Sequence, residues 1–146
     1  MDPVSMMCAA MAIAGPVAQS ATWMDRLAVL DDGRSAAFVR ADPSLLDDVY
    51  APGSAQRADD ERLVRDYAAR GLEIDDVRFE LLGFEVESAT GTRAVLRVVD
   101  RLEPVRVRRP GGSWRLLPRD GATDRRIVLV RTSVGWRIAT VHRLAG

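Results

Sequence analysis

Apolar positions recur at helical spacing in the first half of the chain and alternate in the second. Trp23, Leu27, Leu30, Ala37 and Phe38 fall on one stripe of a 3.6-residue repeat, which predicts a helix from Thr22 over about five turns. Thr22 followed by Asp25 is close to a capping box, with Asp in place of the usual Glu. Gly33 lies inside the stripe at a cost of roughly 1 kcal/mol against Ala, so a bend is expected there. Asp42-Pro43 starts a short second helix, because Asp can cap it and Pro fits its first position. Leu45, Leu46, Val49 and Tyr50 form its apolar side, and Ala51-Pro52-Gly53-Ser54 ends it as a loop. A third helix runs from Asp59 or Asp60 to Arg70, with Leu63, Val64, Tyr67 and Ala68 inward and Gly71 as a left-handed stop.

From Ile74 the period becomes two. Val77, Phe79 and Leu81 share one face, while Leu82, Phe84 and Val86 lie on the other, so the apolar face switches at Gly83, as at a bulge. In the next strand Ala94, Leu96, Val98 and Leu102 face one way and Arg93, Val95, Arg97, Val99 and Arg101 the other. Arg109 to Asp124 reads as a long loop. Ile127–Thr132 and Trp136–Val141 flank Ser133-Val134-Gly135 and read as an antiparallel hairpin. Trp136 and Ile138 share a face, and Trp136 is expected against the first helix near Leu27 or Leu30. Three helices followed by antiparallel strands predict an α+β domain with helices on one face of a bent sheet.

A chain of 146 residues suits one domain with its own core. All 21 basic residues are Arg, which fits either codon bias in a GC-rich genome or a demand for bidentate anion contacts. The single Cys8 excludes an internal disulfide and leaves the redox compartment open. Net charge is zero, but residues 1–91 hold 8 Arg against 17 acids and residues 92–146 hold 13 Arg against 4, giving −9 and +9. Either acidic helices lie beside a basic sheet in one molecule, or a basic sheet face meets an anionic or acidic partner. Residues 1–21 read as a signal or anchor remnant outside the fold, with Ala18-Gln19-Ser20 as a small-x-small site but no positive start. The domain therefore spans 22–146, and the location expected is the cell envelope or secretion, with the cytoplasm as the alternative.

Candidate chemistry is sparse. His142 and Cys8 cannot make a zinc site, and Asp47-Asp48 and Asp59-Asp60-Glu61 lack calcium-loop spacing, so no metal and no cofactor is expected. Arg106, Arg108 and Arg109 near Trp114 carry no recognition motif, so nucleic acid is not expected. Asp100 lies on the face of Leu96 and Val98, where an inward acid would have a raised pKa and act as a base; the alternative is a strand-end Asp paired to an Arg such as Arg101 or Arg137. Tyr50, Tyr67 and Trp136 join Asp100 as pocket-lining candidates, and Arg93, Arg97, Val99 and Arg101 are interface candidates.

Leu30–Phe38 with Ala41-Asp42-Pro43, then Leu46 to Ser54, Leu96 to Asp100, Leu129 to Thr132 and Gly135-Trp136-Arg137-Ile138, resemble the nuclear-transport-factor-like superfamily. This superfamily is also called SnoaL-like or cystatin-like. The resemblance, closest to uncharacterised actinobacterial envelope-associated members, covers Trp23 to Val141. It implies a strongly bent, cone-like sheet around a partly apolar cavity, and a sheet face that packs on a second copy. The reading is a non-catalytic module for a small apolar ligand or for protein assembly. An isomerase or polyketide-cyclase-like enzyme using Asp100, and a basic-faced adaptor, are the alternatives. Membrane contact is expected only through an N-terminal anchor.

Overall fold

The computed structural model describes residues 16–118 and 121–144. The stripe of Trp23, Leu27 and Leu30 lies on α1, Pro16–Val39, and all three side chains are buried. The helix runs upstream of Thr22 to Pro16, so Thr22 sits inside it and is no cap; proline suits a helix start, where its missing N–H costs nothing. Gly33 stays helical because the space beside it is taken. A Cβ there would stand 3.0 Å from Cγ2 of Val49, which is fully buried. The next segment is a 3-10 helix, Pro43–Asp48, capped by Asp42, whose side chain accepts from the Ser44 N–H. Helix α2 spans Ala55–Ala69 and starts four residues before Asp59, because Ser54 caps it through the Arg57 N–H.

Among the described residues seven strands follow: β1 Glu73–Ile74, β2 Phe79–Ala89, β3 Arg93–Leu102, β4 Arg106–Arg108, β5 Arg115–Leu116, β6 Thr123–Thr132 and β7 Gly135–Arg143. All pair antiparallel, in a four-stranded sheet ordered β2-β3-β6-β7 and a three-stranded sheet ordered β1-β4-β5. The α+β arrangement with three N-terminal helices therefore holds, but the strongly bent, cone-like sheet does not. The strands form open ladders, not strongly curled and not closed. The ladder breaks after Leu102, where Pro104 offers no N–H, and the chain then pairs with β1 instead of extending β3. A register shift between Leu81 and Gly83 marks the face switch, and Leu82 is left half-exposed there.

The core lies between α1, the 3-10 helix and one face of the large sheet. Leu46, Leu96 and Leu129 are fully enclosed, joined by Ala94, Val98, Ile127 and Ile138. Tyr50 bridges to Ile138, with Ala51 N–H donating to the Ile138 carbonyl at 2.8 Å, so the edge of β7 is partly covered. Trp136 is half-buried and meets Trp23 edge to face, with ring centroids 4.8 Å apart, under the Arg26 guanidinium. It packs on α1 one turn before Leu27.

Candidate functional site

Two buried acids each meet a partly buried arginine where the helices meet the sheet. Asp60 on α2 falls on the same stripe as Val64 and is 1% exposed. Arg34 on α1 grips it with two hydrogen bonds, Nε to Oδ2 at 2.6 Å and Nη2 to Oδ1 at 2.9 Å. The Tyr50 hydroxyl donates to the same Oδ2 at 2.6 Å. Burial pushes the Tyr50 phenol well above its usual value, and Asp60 adds to the shift while Arg34 opposes it. Burial alone would lower the Arg34 pKa, but the hydrogen bonds and charge of Asp60 outweigh that and hold it firmly protonated.

The second pair sits on the sheet. Asp100 of β3 is 3% exposed and accepts from Arg125 Nη2 of β6 at 2.5 Å and from the Thr123 hydroxyl at 3.3 Å. Arg125 Nε is buried and has no hydrogen-bond partner among the described residues. The Arg34 and Arg125 guanidiniums each lie 5.6 Å from the centre of the Phe79 ring. Asp31 on α1 is near this group and has a carboxyl pushed up to about 6. Burial raises it, Arg125 and Arg34 lower it, and Asp100 and Asp32 raise it further.

Phe79 separates three cavities. The first, about 160 Å³, is apolar: Phe38 and Tyr67 from the helices face Ile74, Val105, Val107 and Leu117 from the short sheet. Arg34 is its one charged lining residue among those described. The second, about 430 Å³, opens at Arg125, Thr123 and Arg143 and shares Arg34, Phe79 and Leu102 with the first. The third, about 420 Å³, lies beyond Phe79 and is lined by Asp31, Asp32, Asp76, Arg78 and Glu103. No group of three metal-type ligands occurs among the described residues.

The sequence candidates are dispersed over this arrangement. Tyr67 lines the apolar chamber, whereas Tyr50 spends its hydroxyl on Asp60. Asp100 points inward as its strand face requires, but its partner is Arg125, not Arg101 or Arg137. Trp136 packs on Trp23. On the outer sheet face Arg97 pairs with Asp124, Arg101 with Glu80 and Arg126 with Glu87, and Val99 is partly buried beside Gly83. Arg93 is exposed at the start of β3. Sequence reasoning missed Arg34, Asp60, Phe79 and Arg125. Two of them carried a signal: Asp60 precedes Val64 by four residues and Arg34 follows Leu30 by four, which places a charge on each buried stripe.

The arrangement of helices on one face of an antiparallel sheet recurs in solved structures. The intermembrane-space region of the chloroplast protein ARC6 superposes with a TM-score of 0.60 at 18% identity, over 87% of this chain and 97% of that one. The chain has the nuclear-transport-factor-2-like fold. A protein of that superfamily from Salmonella enterica serovar Typhimurium superposes with a TM-score of 0.53 at 15% identity, covering 86% and 92% of the two chains. A protein of unknown function from Mycobacterium tuberculosis does so with 0.56 at 16% identity, covering 89% and 75%. No family model and no curated protein matches the sequence. At these identities the likeness is one of fold, and this fold serves catalytic and non-catalytic proteins alike.

Proposed function

We propose that the protein is a non-catalytic binding domain for a small, mainly apolar ligand held between α1, α2 and the three-stranded sheet. The carrying observation is the chamber of about 160 Å³, walled by Phe38, Tyr67, Ile74, Val105 and Val107. Its size is close to that of an engineered cavity of about 150 Å³ that stays dry and takes benzene. A ring-sized ligand is therefore the natural occupant, with Arg34 available at the boundary to the second cavity. The isomerase-like alternative is disfavoured because Asp100 is engaged by Arg125 and lines none of the three cavities. Placement at the envelope remains a proposal that rests on residues 1–21. Residues 1–15 lie outside the described ones, and none of the described helices is long and apolar enough to cross a membrane.

Toluene and indole titrated into the protein test the reading by amide chemical shifts. Shifts are expected around Phe38, Tyr67, Val105 and Val107. Val107→Trp, which fills the chamber, is expected to remove them while leaving the circular dichroism spectrum unchanged. Absence of shifts at saturating probe with the wild-type chain would sink the proposal.

A further inference from the structure

The three-stranded sheet has two unlike faces. One closes the apolar chamber with Ile74, Val107, Val105 and Leu117. The other follows from the register. Glu73 stands opposite Arg108, and Arg106 opposite Leu116, so these residues share the outer face. Trp114, two residues before Leu116, joins them there. Its ring takes the Arg108 guanidinium at 4.5 Å and the Arg106 guanidinium at 5.8 Å. None of the described residues covers this face: Leu116 is 66% exposed and Trp114 36%.

We propose that this outer face docks on the surface of an anionic lipid bilayer. Its charge is complementary to such a surface. Arg106, Arg108 and Arg109 follow one another along β4 and its turn, and among the described residues only Glu73 and Asp75 oppose them, through pairs with Arg108 and Arg106. Among the described residues no carboxylate pairs with Arg109. A tryptophan and an exposed leucine among arginines match the interfacial zone of a membrane, where an amphipathic ring sits at headgroup depth and guanidiniums meet phosphates. The turn Arg109-Pro110-Gly111-Gly112 brings Trp114 back beside Arg108, with Gly111 in the left-handed region at φ 72°.

Other occupants fit less well. Three short strands make a platform of roughly 10 by 14 Å, far below the ~800 Å² per partner of a standard protein interface. A nucleic-acid backbone would use the arginines but leave Leu116 in water, and the one ring for stacking is already covered by Arg108. The proposal is independent of whether the chamber behind the sheet holds a ligand.

The test is sedimentation of the full chain with vesicles of phosphatidylglycerol mixed with phosphatidylcholine, against vesicles of phosphatidylcholine alone. Binding is expected only to the anionic vesicles, and it should fall steeply with added salt. Trp114→Ser with Leu116→Ser should weaken it about tenfold or more, and Arg108→Glu with Arg109→Glu should abolish it. Circular dichroism of each variant should match wild type, because the altered side chains lie outside the core, with only a small fall in the melting midpoint of the arginine variant where Arg108 leaves Glu73. Failure of the wild-type chain to bind anionic vesicles would overturn the proposal. So would equal binding by both double variants, since attachment would then run through another part of the chain. Salt-sensitive binding to a duplex oligonucleotide with none to vesicles would also overturn it, giving the face to nucleic acid.

Discussion

Burial pushes the Asp31 carboxyl up to about 6 from its ordinary 3.8, against the pull of Arg125 and Arg34. Below the ordinary value both folded and unfolded chains carry the proton. Between the two values the unfolded chain has lost a proton that the folded chain still holds, so stability falls as pH rises through this window and stays lower above it. The full shift discounted for partial exposure corresponds to about 2 kcal/mol. Asp31→Asn is therefore expected to raise stability by about 2 kcal/mol near pH ~8 and to change it little near pH ~3.5, read from urea unfolding midpoints. An equal gain at both pH values would show that charge is not the cause. Asp60 is more deeply enclosed, and Arg34 and Tyr50 supply three hydrogen bonds to its carboxylate. Such a fully satisfied buried pair specifies how α1 sits on α2.

At the scale of elements, Gly33 shows how packing overrides propensity. Alanine there would favour the helix by about 1 kcal/mol, but its methyl group would press on Val49 at 3.0 Å. Val49 is fully buried, and overpacking of this kind costs about 1–3 kcal/mol. Gly33→Ala is expected to lower the thermal midpoint. In the background of Val49→Ala, where the space is open, the same change should raise it. Thermal denaturation of the four members of this cycle measures the coupling, and identical effects in both backgrounds would refute the close approach. The contact also sets where the 3-10 helix lies, and with it Tyr50, whose backbone bridges to β7 and whose hydroxyl reaches Asp60.

For the whole molecule, the −9 and +9 halves neutralise each other largely across strands. Arg101 and Arg126 meet Glu80 and Glu87 of β2, while Arg97 meets Asp124 within its own half. These pairs are at least partly exposed and each is worth at most about 1 kcal/mol. Arg97 holds the Asp124 carboxyl below its usual range, which keeps both charged. Beneath them Val95 and Val128, on the face away from the helices, are already buried. A second copy on this face is a proposal that rests on Val99 and the neighbouring charges of β2 and β3. If it forms, Arg97→Glu with Val99→Glu should abolish it without changing helix content, as light scattering and circular dichroism would show. A wild-type chain that is monomeric at low salt would return Arg97 and its neighbours to a solvated, internally paired face.

The helical stripes and the two-residue alternation were determined by the sequence alone, because periodicity is a local property that burial simply reads out. It also placed Asp100 on the inward face and the bulge at Gly83. The upstream start of α1 was not legible, since Thr22 offers a competing cap and residues 16–21 contribute no apolar stripe. The split into two sheets was decided by tertiary structure. Residues 106–108 pair with residues about 35 positions earlier instead of extending their neighbour, and such a choice depends on long-range closure. The site has the same origin. Arg34 and Asp60 are 26 residues apart and Arg125 and Asp100 are 25 apart, and only packing reveals which acid each arginine reaches. With 21 arginines and 21 acids in the chain, composition permits many pairings; the meeting of two helix faces chooses Arg34–Asp60, and the β3–β6 register chooses Arg125–Asp100.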